Sequence, residues 1–207
     1  MNISKETWIQ GLDAIKNNAY TKTHLDLSGL ELSPSEMKDL LPALEANKHI
    51  QSLDLRWNPI ETEGASYLAK TSHLTHLQLD HNKIGDTGIT MLAKNQNFTH
   101  LSLMFNKISD KTGIILAANE KLLELNVNYN ELEDVSARAF SINPTLCVLH
   151  INGNIVTDAG KAALEANKRL ALPLLSKPIR RPQDNHDARF LENLQREEQK
   201  DRLRQMP

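Results

Sequence analysis

Acid–base, metal or nucleophilic chemistry in this chain would fall to eight histidines and one cysteine. Five of the histidines, His24, His76, His81, His100 and His150, share a face once the chain is aligned on its own repeat. Histidine titrates near neutrality, so such a set predicts binding that changes as the pH falls toward about 6. His76 and His100 occupy equivalent positions and are expected side by side. Two imidazoles without a cysteine or carboxylate at ligand spacing make no zinc site, and neither metal nor cofactor is expected. Cys147 takes a position held by Thr75 and Thr99 elsewhere, which reads as a small, half-buried residue. His150 lies three residues on, which on a strand points it to the opposite face. No G-x-S-x-G, H-E-x-x-H or glycine-rich phosphate loop occurs. The sequence predicts a protein that binds rather than one that catalyses.

These residues are positioned by a 24-residue period that begins at Ile50 and continues through Leu74, Phe98, Leu122, Leu146 and Leu170. Asn58, Asn82, Asn106, Asn130 and Asn154 follow the first five at constant spacing. An L-x-x-L-x-L-x-x-N unit at fixed short period is the signature of a solenoid. Each unit predicts one short strand, centred in the third on Leu77 and Leu79, and then a helix marked by a glycine, a leucine and an alanine such as Gly88, Leu92 and Ala93. Alternate strand residues face inward. The asparagines are expected to form a paired, buried ladder. A second asparagine column, Asn47, Asn95, Asn119, Asn143 and Asn167, predicts left-handed residues that stop the helices.

The residues beside the inward leucines make four outward columns on the concave face. The first is His24, Ser52, His76, His100, Glu124 and Val148; the second is Asp26, Asp54, Gln78, Ser102, Asn126 and His150. The third is Ser28, Arg56, Asp80, Met104, Asn128 and Asn152; the fourth is Gly29, Trp57, His81, Phe105, Tyr129 and Gly153. Three of the chain's nine Phe, Trp and Tyr residues fall in the fourth column, with His81 completing the row and glycines bracketing it. At about 4.8 Å per strand, Trp57 to Tyr129 spans roughly 14 Å. Aromatic residues and arginine dominate binding hot spots, and Arg56 adjoins Trp57. The expected protein-binding set is therefore Trp57, His81, Phe105, Tyr129, Arg56, Asp80, Met104, Asn128, His76, His100 and Asp54. Asp26, Asp54, Asp80 and Glu124 against Arg56 predict an acidic face and a partner with some basic character.

Three parts are expected: an N-terminal capping helix within 1–21, six repeats over 22–169, and a C-terminal cap with a charged helical tail over 170–207. The capping helix is read at 4–18, N-capped by Ser4, with Trp8, Ile9, Leu12 and Ile15 at helical spacing. Leu170 to Leu175 are apolar enough to cover the far end, and 184–205 reads as a charged helix. The net charge of -2 argues against nucleic acid. The single cysteine suits a reducing compartment. The N-terminus lacks the pattern of a signal peptide, and no stretch is apolar enough to span a membrane. A cytoplasmic protein, monomeric when free, is expected.

The unit L-x-x-L-x-L-x-x-N-x-I-x-x-x-G-A-x-x-L-A-x-N resembles the ribonuclease-inhibitor-like class of leucine-rich repeats. It is most similar to the 24-residue GALA-type repeats of bacterial effectors, through Gly64-Ala65-Ser66-Tyr67-Leu68-Ala69 and Gly88-Ile89-Thr90-Met91-Leu92-Ala93. The resemblance implies an α/β horseshoe with a parallel concave sheet and convex helices. It also implies a bacterial effector or regulator that binds one protein, inhibiting an enzyme by occluding its active site. The glutamate-rich Leu191–Glu198 stretch is similar to export signals of type IV-secreted effectors, which implies translocation into host cytoplasm. The alternative is an adaptor whose C-terminal tail recruits a second component.

Overall fold

The computed structural model describes residues 5–173. Ser4, Leu174, Leu175 and the 184–205 segment, to which the sequence assigned a cap, an end cover and a charged helix, lie outside the described residues.

Helix α1 (Lys5–Lys16) is followed by six strand–helix units: β1 (His24–Asp26) and α2 (Pro34–Ala46), β2 (Ser52–Asp54) and α3 (Glu61–Leu68), β3 (His76–Gln78) and α4 (Gly85–Ala93), β4 (His100–Ser102) and α5 (Asp110–Ala117), β5 (Glu124–Asn126) and α6 (Asp134–Ser141), and β6 (Val148–His150) and α7 (Asp158–Ala166). The strands form one parallel sheet in the order β1 to β6. Leu25, Leu53, Leu77, Leu101, Leu125 and Leu149 stand opposite one another across it. A parallel neighbour needs a crossover, which each helix supplies. Because every crossover has the same length from repeat two onward, every residue type falls into a column.

The core runs the length of the solenoid between sheet and helices. Leu53, Leu55, Leu79, Leu103, Ile60, Ile84 and Ile108 are fully buried in it. Gly88 keeps neighbouring helices close: a Cβ there would lie 3.1 Å from the Ala65 Cβ and 3.2 Å from the Thr62 Cα of the previous helix. Gly113 meets Ser136 in the same way. The small column thus serves helix–helix contact between repeats.

The strand-end asparagines form the predicted ladder, except that the buried Oδ1 of Asn82 has no hydrogen-bond partner among the described residues. Asn106 donates to Leu79 O at 2.8 Å, and its Oδ1 accepts from the backbone N–H groups of Asn82 and Ile84. Asn130 does the same for Asn106 and Ile108, and Asn154 for Asn130 and Leu132.

The second asparagine column works differently from the expectation. Asn47 and Asn167 are extended, with φ of -93° and -81°, and no residue of this column has positive φ. Their side chains instead tie repeats together. Asn119 Nδ2 donates to Ala93 O and Asn95 O, and its Oδ1 accepts from Lys121 N and Leu122 N. Asn143 repeats the pattern on Ala117 O and Asn119 O. A helix leaves its last carbonyls unpaired, and here the next repeat's asparagine satisfies them.

At the N-terminal end α1 packs on α2, burying Trp8 and Ile15 while Ile9 faces solvent. Asn47 Nδ2 bonds Ile15 O and Tyr20 O, both at 2.9 Å, fastening this segment to the first repeat. Helix α2 starts with a capping box between Ser33 and Glu36, with Pro34 at its first position. At the other end Leu149 N donates to Ala171 O and Ala171 N to Cys147 O, so the chain enters a seventh rung beside β6. No helix among the described residues is long and apolar enough to cross a membrane.

Candidate functional site

The fourth column is the feature that most departs from ordinary backbone. Trp57, His81, Phe105 and Tyr129 have φ of 61°, 59°, 54° and 54°, and Gly29 and Gly153 continue the column at 67° and 73°. All six positions are left-handed. Glycine adopts this conformation freely, whereas an L side chain pays on the order of 1–2 kcal/mol. The conformation is imposed from the next repeat. Gly29, Trp57, His81, Phe105 and Tyr129 each donate their backbone N–H to the third-column carbonyl one repeat on: Arg56, Asp80, Met104, Asn128 and Asn152.

The left-handed turn lifts the four side chains into one continuous stack. Ring centroids are 3.5 Å apart for Trp57–His81, 4.2 Å for His81–Phe105 and 4.5 Å for Phe105–Tyr129, with interplanar angles of 10°, 21° and 10°. Phe105 and Tyr129 remain about 40% exposed and Trp57 and His81 are half-buried. The stack ends over Gly153, where a Cβ would fall 2.3 Å from Tyr129 Cδ1. Burial between two rings lowers the pKa of His81 below the usual 6.5.

The first column holds a second stack. The His76 and His100 rings lie 4.0 Å apart at 10°. Their Nδ1 atoms sit 2.8 and 2.9 Å from Thr75 Oγ1 and Thr99 Oγ1, which leaves both Nε2 atoms outward. Glu124 lies between His100 Nε2 at 4.0 Å and His150 Nε2 at 3.6 Å. Burial, and then the neighbouring His100, hold the His76 pKa down. His76, His100 and Glu124, with Arg56, Gln78 and Ser102, line an open depression of about 330 Å³ in the concave face. Cys147 is exposed rather than half-buried, and its Sγ lies 3.3 Å from Thr145 O.

Four residues expected on the outward face are buried instead: Asp54 at 3%, Asp80 at 2%, Met104 at 2% and Asn128 at 0% exposure. Asp80, Met104 and Asn128 lie past the strand ends, where alternation no longer applies, and Asp54, the last residue of β2, is paired with Arg56. Asp26, Asp54 and Asn126 each accept the backbone N–H two residues on, an Asx-turn arrangement. Asp80 accepts from Ser102 Oγ and Met104 N, and Asn128 from Asn152 N, across repeats. Asp54 also holds the Arg56 Nε at 2.9 and 3.0 Å. Burial raises the Asp80 pKa despite its hydrogen bonds. The strongly acidic face expected from the columns is therefore not presented: Asp54 is paired and Asp80 enclosed. Of the expected set, Trp57, His81, Phe105, Tyr129, His76, His100 and Arg56 stay accessible.

Comparison with known proteins bears on the fold. The family model described as Leucine Rich repeat matches residues 46–69, 71–93, 94–114 and 118–141. No curated protein sequence matches the chain. Among solved structures, the Caenorhabditis elegans tropomodulin C-terminal domain is similar over 95% of this chain and 96% of its own, at 13% identity and a TM-score of 0.51. Leiomodin-1 Actin-Binding Site 2 is similar over 58% of this chain and 78% of its own, at 22% identity and a TM-score of 0.50. Period and strand register give the chain the fold of a leucine-rich-repeat solenoid, and the family model matches four segments within it.

Proposed function

We propose that the chain is a protein-binding module and that its partner docks on the rim formed by Trp57, His81, Phe105 and Tyr129. One observation carries the reading. Four consecutive repeats place a ring on a left-handed backbone that glycine would occupy without strain. Strain of this kind collects at binding and catalytic sites, and these rings stay in reach of solvent. A ligand that must stack on an open ring face is disfavoured, because each interior ring has both faces occupied by its neighbours. Side chains of a protein partner, which pack against edges as well as faces, suit the ridge. That a solved protein of this fold is described as an actin-binding site is in keeping with protein recognition. The GALA-type resemblance supports a narrower version, a bacterial effector or regulator that inhibits by covering its target.

The test is a capture experiment with the full chain and a Trp57→Ala, Phe105→Ala, Tyr129→Ala variant shown by circular dichroism to be folded. A partner held by the wild type should be lost by the variant. Equal capture by both removes the rim from the binding surface. Removing residues 174–207 then separates occlusion, which survives, from an adaptor role, which does not.

A further inference from the structure

The rim has a polarity that the ring stack itself creates. Each ring is negative over its face and positive around its edge. In this stack the faces of His81 and Phe105 are turned toward neighbouring rings, so a partner meets mainly ring edges. Two residues beyond His81 and Phe105 stand Lys83 and Lys107, in equivalent positions of adjacent repeats. Both are exposed and both are left-handed, with φ of 56° and 59°, and neither is among the described ion pairs. The concave acids that would oppose them are largely spent, since Asp54 is paired with Arg56 and Asp80 is buried. Glu131, beyond Tyr129, bounds the basic stretch at its C-terminal end.

We propose that the partner presents an acidic segment of polypeptide to this ridge, laying apolar side chains along the ring edges and carboxylates over Lys83 and Lys107. The inference rests on the rim being the binding surface and adds the chemistry of what binds. It reverses the basic character expected from the column count. The two lysines sit one strand spacing apart, about 4.8 Å, so two acidic residues close together in the segment match them. Opposite charge at the edge of a contact sets orientation and partner choice.

Two capped peptides of about eight residues provide the probe. Both alternate leucine and phenylalanine with a charged residue, aspartate in one and lysine in the other. Each is titrated into the full-length chain, with aromatic and histidine NMR signals as the readout. The aspartate peptide should shift the signals of His81, Phe105 and Tyr129 and bind about tenfold more tightly than the lysine peptide at low salt. The gap should narrow as salt shortens the screening length. Lys83→Glu with Lys107→Glu should invert the preference. Glutamate already holds the same left-handed backbone at Glu31 and Glu61, so the variant is expected to fold. Equal affinity for the two peptides, with ring shifts, would overturn the charge proposal and leave the rim as a binding surface. No rim shift with either peptide would remove both. Tighter binding of a thymidine oligonucleotide than of the aspartate peptide would also overturn it.

Discussion

Phe105 and Tyr129 stack 4.5 Å apart on backbones that are both at φ 54°, and each donates its own N–H to the repeat that follows. Ring contact and backbone strain therefore belong to one device. The parallel ladder continues past the strand end and holds the turn left-handed. The turn then sets each ring face to face with the ring of the next repeat. Local strain is tolerated because hydrogen bonds from the adjacent repeat over-determine it.

Removing a ring should therefore have two components that substitution can separate. Phe105→Ala loses the stack but keeps a Cβ on a left-handed backbone. Phe105→Gly loses the stack and relieves the strain. The glycine variant should be more stable than the alanine variant by about 1 kcal/mol in urea unfolding, opposite to their usual order. If alanine proves the more stable, the left-handed geometry does not persist in solution.

Gly153 tests the end of the row. Its φ is 73° and a Cβ would collide with the Tyr129 ring, whereas Gly85 has φ 68° and nothing within 4 Å of its Cβ position. Gly85→Ala should cost roughly 1 kcal/mol from the backbone alone. Gly153→Ala should cost that plus about 1–3 kcal/mol for overpacking, unless Tyr129 swings away. A shift in Tyr129 ring signals with Gly153→Ala and none with Gly85→Ala is the expected spectroscopic counterpart. Matching behaviour of the two variants would mean that the ring does not rest on Gly153.

The fold was legible because its determinants repeat: inward leucines such as Leu53 and Leu77, and asparagines such as Asn106, recur at constant spacing. The row was legible as residue types in one column. Its backbone was not, because aromatic residues avoid left-handed φ and so hide a requirement that only the bracketing glycines, Gly29 and Gly153, betray. The third column departs from strand alternation for a related reason. Alternation places Asp80 and Asn128 outward on a strand, but the strands end at the second column, before either residue, and the turn buries both. Asn119 and Asn143 have the residue type of a left-handed helix stop, whereas they act through their side chains on the preceding repeat.

The asparagine ladder should be the least replaceable polar element. Asn106 is fully buried and answers two backbone donors, Asn82 N and Ile84 N. Asn106→Leu strands both, each at about 1–3 kcal/mol, so a loss of roughly 2–6 kcal/mol in urea unfolding is expected. Asn154 closes the ladder and is half-buried, so water can replace part of what it provides. Asn154→Leu should cost clearly less. Equal losses would mean that side-chain volume, not hydrogen bonding, governs the column.

Acid should weaken the fold through its histidines before its carboxylates. His73, His76 and His81 all have pKa values below the ordinary 6.5, chiefly because burial disfavours the imidazolium. The unfolded chain then binds protons that the folded chain refuses. Stability rises with pH wherever the unfolded state holds more protons. Their contribution is therefore complete above the unfolded value and declines as the pH falls through 6.5 toward the depressed folded values. Asp80 acts in the opposite sense, because its folded pKa is raised above 3.8; its term favours the fold at low pH and fades as the pH rises through the raised value. Between pH 7 and 5.5 the depressed histidines lose their contribution as the pH falls, so the thermal midpoint should fall across that window. His81→Phe retains a ring between Trp57 and Phe105 without a titrating group, and should flatten the dependence in proportion to the share His81 carries. A midpoint that is constant over this window in the wild-type chain would show that the stacked imidazoles are as freely protonated as those in solution.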